Sequence, residues 1–182
     1  MSTTNWSLDP THSEIGFKIK HLMITNVSGN FTSFDVQAET ATGDFSDARI
    51  TAKIKVDSIN TNNAQRDENL RAADFFEAEK YPDILFTSTR IETKEDDLYH
   101  IHGNLTIKET TKPVKIIAEY SGITKDPWGN TRAGFSLSGV INRKDFGITY
   151  NAVTETGGIM LGEDLKLNGE IQLVKQVELE PA

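Results

Sequence analysis

The chain has 182 residues, a length typical of one globular domain, and we expect a single domain over residues 1–182. Hydrophobic residues make up 37% and charged residues 25% of the sequence, which favours a folded, soluble protein over a disordered one. The formal charge of −8 disfavours nucleic acids and anionic membrane surfaces as partners. Because there is no cysteine, disulfides, thiolate nucleophiles and Cys-based metal sites are excluded.

The N-terminal sequence, MSTTNWSLDP, contains no basic start followed by an apolar run. Signal peptides and membrane anchors need such a run. The sequence therefore predicts a cytoplasmic protein with no stable membrane insertion. The initiator methionine favours this interpretation over an exported protein that has already been trimmed.

Apolar residues at every second position predict β-strands along most of the chain. The first such run is Ile15, Phe17 and Ile19. The same period recurs in residues 50–56, 99–107, 114–120, 135–141 and 165–173. We expect about eight strands, each with one apolar and one polar face, joined by short links rich in turn residues.

Strands with one polar face pair in an antiparallel way and must bury the apolar face. The short links, and the lack of alternation between helix and strand, favour a meander that closes on itself and leaves no exposed edge. The predicted fold is therefore an all-β antiparallel barrel, with a two-sheet sandwich as the alternative. Gly103, Gly139 and Gly169 interrupt apolar faces, which predicts either strong strand bending or free space inside.

Two segments interrupt the strand pattern. Residues 62–77 predict a helix that Asn62 or Asn63 can cap. The apolar residues on roughly one face of this helix are Leu70, Ala73 and Phe76. Residues 143–163 form an irregular connection, and connections of this length in compact domains often act as functional lids.

Candidate catalytic and metal-binding residues are few. His100 and His102 share one face of a strand, as a metal-binding pair would, but that face is polar and no third ligand is evident. We interpret them as exposed imidazoles, and His12 as a hydrogen-bonded structural histidine in a turn. The spacings of a nucleophile elbow, a phosphate-binding glycine loop and an HExxH zinc site are absent. The sequence therefore predicts no catalytic residue and no metal site.

His21 follows Ile19 in the same alternating phase, which predicts that it faces inward at one end of the barrel. A core or rim histidine bonded to the backbone is favoured over a catalytic base, and contact with a ligand's polar head is a further alternative. The charged helix residues Arg66, Asp67, Glu68 and Arg71 are interpreted as a solvated helix face, with a ring of paired charges that fixes the helix over the barrel mouth as the alternative. Arg143 and Asp145 have the same two interpretations.

Short motifs occur in a characteristic order along nearly the whole chain. They are WSLDPTHS at 6–13, GF at 16–17, KHL at 20–22, INTN at 59–62, RD at 66–67, LR at 70–71, DFF at 74–76, YP at 81–82, GNLTI at 103–107, TKPV at 111–114, GF at 134–135, NR at 142–143, DFGI at 145–148 and MLGE at 160–163. With these motifs in this order, the chain resembles the YceI-like family of lipocalin-like, polyisoprenoid-binding proteins.

The resemblance implies an extended eight-stranded antiparallel lipocalin-like barrel with one short helix capping an end, and often a homodimer. It implies an apolar lipid ligand inside the barrel, such as a polyisoprenoid, an isoprenoid quinone or a fatty-acid-like lipid. No other cofactor is implied, and the family pattern supplies no catalytic residues. The alternatives are a packed barrel that acts as an interaction protein, and an enzyme that acts on a lipid held in the tunnel.

Strand phase and the resemblance together predict which side chains meet the ligand. The residues expected to line the tunnel are Phe17, Ile19, Ile54, Val56, Ile84, Phe86, Ile101, Leu105, Val114, Ile116, Phe135, Leu137 and Ile141. The residues expected to close or shape it are Phe34, Val36, Phe75, Phe76 and Phe146. The candidates for contact with the ligand's head group are His21, Arg66 and Arg143.

Overall fold

A computed structural model of the chain describes residues 3–22, 24–41, 45–73, 75–148 and 161–176. Its β-strands are β1 (Thr4–Leu8), β2 (Glu14–His21), β3 (Thr25–Phe31), β4 (Phe34–Thr40), β5 (Arg49–Lys55), β6 (Ile59–Asn60), β7 (Asp83–Glu95), β8 (Leu98–Ile107), β9 (Thr110–Lys125), β10 (Thr131–Asn142) and β11 (Leu161–Lys175). The α-helix α1 is Ala64–Arg71, and short 3-10 turns are formed by Pro10–His12, Val56–Ser58 and Arg143–Phe146.

These strands form one closed antiparallel barrel with eight strand positions. β11 pairs with both β2 and β1, so β1 and β2 together occupy one position. β3 and β4 share the next position, since β3 pairs with β2 and β4 pairs with β1. β5 and β6 share the position after that, because β5 pairs with β4 and β6 pairs with β3. The pairing of β11 with β1 and β2 closes the ring. The predicted eight-stranded barrel is confirmed, and the sandwich alternative is wrong.

Two of the breaks within strand positions follow from the local sequence. Asp9 caps the turn Pro10–His12 with a side-chain hydrogen bond to a backbone N–H, and the proline has no N–H to give to a sheet. In the turn Val56–Ser58, the hydroxyl of Ser58 donates to the backbone oxygen of Lys55 at 2.7 Å. Such local side-chain bonds compete with the sheet for backbone partners, and the strand is interrupted where they form.

The two ends of the barrel differ. At one end His21, the last residue of β2, pairs with Leu161, the first residue of β11. α1 follows β6 here and contributes side chains to the barrel interior, so we call this the helix end. At the opposite end, which we call the far end, Arg132 near the start of β10 pairs with Val174 near the end of β11.

α1 begins where the sequence predicts but ends at Arg71, before residue 77. Asn63 is the cap, and its side-chain oxygen accepts from the backbone N–H of Arg66 at 3.0 Å. The chain then folds into consecutive turns, in which Phe75 and Phe76 both reach the barrel interior. Adjacent residues of a continuous helix point about 100° apart, so the turns direct both rings inward more closely than a longer helix would. Ala73 is exposed, and its predicted place on the apolar face is therefore wrong.

The space beside the three strand glycines is taken up by neighbouring atoms. A Cβ atom on Gly103 would lie 2.5 Å from the ring of Phe86 and 2.6 Å from the backbone oxygen of Thr87. Gly139 is approached by the side chain of Ile116, and Gly169 by a backbone oxygen of β2. These glycines therefore allow close packing of the barrel wall and do not mark free space.

None of the helices in the described ranges is long and apolar enough to cross a lipid bilayer.

An ion-pair network joins two loops at the far end. Arg132 donates to Asp126 at 2.7 Å and also to Asp9, which lies 2.7 Å from His12 Nδ1. The predicted structural role of His12 is thus confirmed. The hydrogen bond from Arg132 lowers the pKa of Asp126 to about 2. Burial opposes ionisation of Asp9, but hydrogen bonds from Thr11, His12 and Arg132 hold its pKa well below the usual range.

This network makes the fold acid-sensitive. The pKa of Asp126 is 3.8 in the unfolded chain and about 2 in the folded protein. The ionised Asp126 therefore stabilises the fold above pH 3.8, and this stabilisation is lost as the pH falls to about 2. We expect the free energy of unfolding, measured by urea titration, to decrease across that range. In Arg132→Met the decrease should be smaller, because both carboxylates lose their shared cation. An equal pH dependence in the two proteins would contradict the role of Arg132.

Candidate ligand-binding site

A cavity of about 520 Å³ occupies the interior of the barrel. This volume falls within the range of about 300–1,000 Å³ that is typical of small-molecule pockets. Side chains from all eight strand positions border it, and most of them are aliphatic or aromatic. In an eight-stranded barrel the interior is either filled by side chains or holds one small ligand, and here part of it is left open.

Most of the residues predicted to meet the ligand border this cavity. They are Phe17, Ile19, His21, Val36, Ile54, Phe75, Phe76, Ile84, Phe86, Ile101, Leu105, Val114, Ile116, Phe135, Leu137 and Ile141. Nearly all of them lie on strands at alternating positions, where successive inward side chains project from the same face. Their position makes them accessible to a ligand, and their contact with one remains a prediction.

Three predicted residues do not border the cavity. Val56 and Phe146 lie in 3-10 turns, where the period-two rule no longer applies, and both are buried in the packed cluster at the helix end. Phe34 keeps the phase of Val36 but is only partly buried and packs against the cluster at the far end. The prediction that Val56 lines the tunnel is therefore wrong, and Phe34 and Phe146 support its wall from outside the cavity.

Several lining residues were not predicted. They are Ile15, Val27, Phe31, Ala38, Phe45, Ile50, Ala52, Ile59, Leu70, Ile91, Tyr99, Ile107, Ala118, Ile148, Leu161, Leu165, Leu167, Ile171 and Leu173, together with the polar Thr61, Asn69, Ser138 and Asn168. Strand phase could have identified many of them, such as Ile15 and Leu167, which lie in alternating runs. No period-two signal marks Phe45 or Asn69, because the first lies in a loop and the second on α1.

Phe45 and its neighbours close the far end. The ring of Phe45 comes from the loop between β4 and β5 and is only 4% exposed. It lies 5.1 Å from the ring of Trp6, 5.8 Å from that of Tyr120 and 4.8 Å from that of Phe135, which it meets edge-on. Such separations are those of favourable aromatic pairs. This aromatic cluster, which we call the far-end plug, fills the barrel interior at the far end.

At the helix end, Thr61 attaches α1 to the barrel. Asp67 is 7% exposed and accepts from the backbone N–H of Thr61 at 2.9 Å and from its hydroxyl at 2.5 Å. Arg66 donates to the Thr61 hydroxyl at 2.8 Å and to its backbone oxygen at 2.7 Å. Leu70 is the only large apolar residue of α1. Polar contacts therefore fix the helix, which supports the interpretation of Arg66 and Asp67 as charges that hold it in place.

Arg143 is a buried structural residue that also borders the cavity. It is 4% exposed and donates to the backbone oxygens of Gly162 at 2.8 Å and Ile148 at 2.9 Å. Burial lowers the pKa of its guanidinium, and nearby Glu163 opposes this effect. Arg143 thereby ties the turn after β10 to the start of β11. Residues 149–160, the middle of the connection predicted to act as a lid, lie outside the described residues.

The paired histidines lie away from the cavity. His100 and His102 project from the outer face of β8 and are half-buried, so the prediction of exposed imidazoles is only partly correct. His102 Nε2 lies 2.6 Å from Glu92. Hydrogen bonds from Lys94 and His102 lower the pKa of Glu92 to about 2. Within the described ranges, no group of His, Cys, Asp and Glu is arranged to hold a metal ion.

The fold and the cavity define a lipocalin-like barrel with an apolar interior. The model of the YceI-like domain family matches residues 6–173, and the chain belongs to this family. UPF0312 protein SA2479 of Staphylococcus aureus (strain N315) is 40% identical over 170 residues, which cover 93% of this chain and 96% of that protein.

Solved structures agree with this assignment. The Campylobacter jejuni YCEI protein has a TM-score of 0.75 at 35% identity, with 93% of this chain and 97% of that chain covered. A polyisoprenoid binding domain from Saccharophagus degradans has a TM-score of 0.72, with 94% and 98% of the two chains covered. Its sequence identity is 14%, so this second likeness concerns the fold alone.

Proposed function

We propose that the chain binds a long-chain apolar ligand inside the barrel and stores or carries it without catalysis. The observation that carries this proposal is the cavity of about 520 Å³ with a largely aliphatic and aromatic lining. Each methylene that a ligand buries there contributes about 0.8 kcal/mol, so the apolar wall is sufficient for affinity. Polyisoprenoids, isoprenoid quinones and fatty-acid-like lipids are the ligand classes that fit, and the Saccharophagus degradans domain is described as binding the first of these.

The two alternatives are less well supported. A fully packed barrel would leave no cavity of this size. An enzyme acting by acid–base chemistry needs a titratable pair beside its substrate, such as His21 with a carboxylate. No Asp or Glu side chain in the described ranges borders the cavity, which favours binding over such chemistry. The expected homodimer and the cytoplasmic location remain predictions.

A neutral fluorescent probe tests the proposal. The protein is first freed of co-purified lipid by unfolding, organic extraction and refolding, and is then titrated with N-phenyl-1-naphthylamine. We expect saturable binding with about one site per chain, because an eight-stranded barrel has room for one small ligand in a cavity such as this. Polyprenol, isoprenoid quinone or a fatty amide should displace the probe. A refolded barrel, verified by its β-sheet circular dichroism, that binds neither the probe nor these lipids would contradict the proposal.

A further inference from the structure

We propose that the preferred ligand is a single-chain lipid with an anionic head group, as in a long-chain carboxylate, and that Arg66 binds this head at the helix end. The inference rests on the proposed function and adds the chemistry of the head group. It follows from the charge of the cavity lining, from the geometry of Arg66 and from the closure of the far end.

The charge of the lining is opposite in sign to that of the whole chain. The sequence has 27 acidic and 19 basic residues. In the described part of the chain, however, the charged residues that border the cavity are Arg66 and Arg143, with His21 beside them and no carboxylate. Because a low-dielectric surrounding strengthens electrostatic interactions, two cations at the edge of an apolar cavity favour an anion strongly over a neutral group.

Arg66 is held in place and still has donors to spare. A guanidinium carries five N–H donors, and the two contacts to Thr61 use Nε and one N–H of Nη2. The remaining donors can make the paired hydrogen bonds that bind a carboxylate. Since Thr61 already orders the side chain, little conformational entropy is lost when a ligand binds. Asn69, three residues further on the same helix face, also borders the cavity and supplies amide donors.

The other charges nearby do not take this role. Arg143 is 4% exposed, whereas Arg66 is half-buried, so Arg66 is the more accessible of the two cations and Arg143 contributes mainly its charge. Asp67 does not border the cavity, and one of its carboxylate oxygens accepts both hydrogen bonds from Thr61. The far-end plug closes the opposite side of the barrel with aromatic rings. A lipid therefore places its tail toward the plug and its head at Arg66.

The test compares lipids that share one tail. Hexadecanoic acid, hexadecan-1-ol and hexadecanamide are used to displace N-phenyl-1-naphthylamine at neutral pH. We expect the acid to bind about tenfold more tightly than the alcohol or the amide, the size of a hydrogen bond to a charged group. In Arg66→Gln the affinity for the acid should fall about tenfold, while that for the alcohol stays within about twofold. Arg71→Gln is the matched control, because Arg71 is on the same helix but does not border the cavity.

The outcomes separate this inference from the proposed function. Equal affinity of the wild-type protein for acid and alcohol would overturn the anionic head group and leave lipid binding intact. An equal loss of acid and alcohol binding in Arg66→Gln, with Arg66→Lys behaving alike, would overturn the role of Arg66. If Arg66→Gln does not fold, the wild-type comparison of acid and alcohol still decides the head-group chemistry. Failure of the wild-type protein to bind any probe or lipid would contradict the proposed function itself.

Discussion

Replacing Phe45 with alanine should lower the free energy of unfolding by about 3–5 kcal/mol, the usual cost of truncating a buried aromatic residue. Phe45 is 4% exposed and its ring contacts those of Trp6, Tyr120 and Phe135. Alanine would leave a void at the far end and would remove ring pairs that contribute about 0.5–1.5 kcal/mol each. Equilibrium unfolding in urea, followed by circular dichroism, measures the change.

Trp128→Ala is the control for this substitution. Trp128 lies in the connection between β9 and β10, also at the far end, but it is 81% exposed. Truncating an exposed side chain usually changes stability by no more than about 0.5 kcal/mol. If Phe45→Ala were no more destabilising than Trp128→Ala, the far-end plug would not be a stabilising element of the barrel.

Partly filling the cavity should weaken ligand binding without unfolding the protein. Ile116 and Ile117 are neighbours on β9 and project from opposite faces, and only Ile116 borders the cavity. Tryptophan at position 116 would occupy part of the open volume. If the probe loses contact with roughly 60 Å² of apolar wall, at about 25 cal/mol per Å² the cost is about 1.5 kcal/mol, so we expect the affinity for N-phenyl-1-naphthylamine to fall about tenfold.

Ile117→Trp is the matched variant, because it adds the same ring on the outer face of the same strand. It should bind the probe with wild-type affinity. Both variants should retain a cooperative unfolding transition, since overpacking costs of about 1–3 kcal/mol are reduced where the new ring enters free space. Equal probe binding by the two variants would place the binding site outside the barrel.

Period-two alternation predicts much of this fold because it reports local backbone geometry. Runs such as those around Phe17, Ile101 and Phe135 show which side chains face inward, and the structure places all three at the cavity. Alternation cannot show where a strand is interrupted by a turn, so it predicts Val56 in the lining, whereas the structure buries this residue behind the lining. The inward position of Phe45 also has no local signal, because its loop is fixed by contacts with distant strands.

The candidate site is only partly readable from the sequence. Alternation alone does not distinguish an open interior from a packed one, and the resemblance to a lipid-binding family was needed to expect a cavity. Arg66 and Arg143 were equivalent candidates for head-group contact. They differ because Arg66 is bound to Thr61 at the mouth, whereas Arg143 is bound to backbone oxygens of Ile148 and Gly162. Only Gly162 is distant in sequence from its arginine. Thr61 and Ile148 each lie five residues from theirs, but these contacts form in turns and at a helix start, where alternation gives no signal.

Native mass spectrometry of the protein as purified tests the barrel's role as a lipid-binding cavity most directly. We expect a bound species that adds the mass of one long-chain lipid to each chain and that is released by organic extraction. Its occupancy should be lower in Ile116→Trp than in Ile117→Trp. A chain that emerges without lipid, and that takes up no isoprenoid alcohol, quinone, fatty acid or fatty amide when these are supplied, would contradict ligand binding in the barrel.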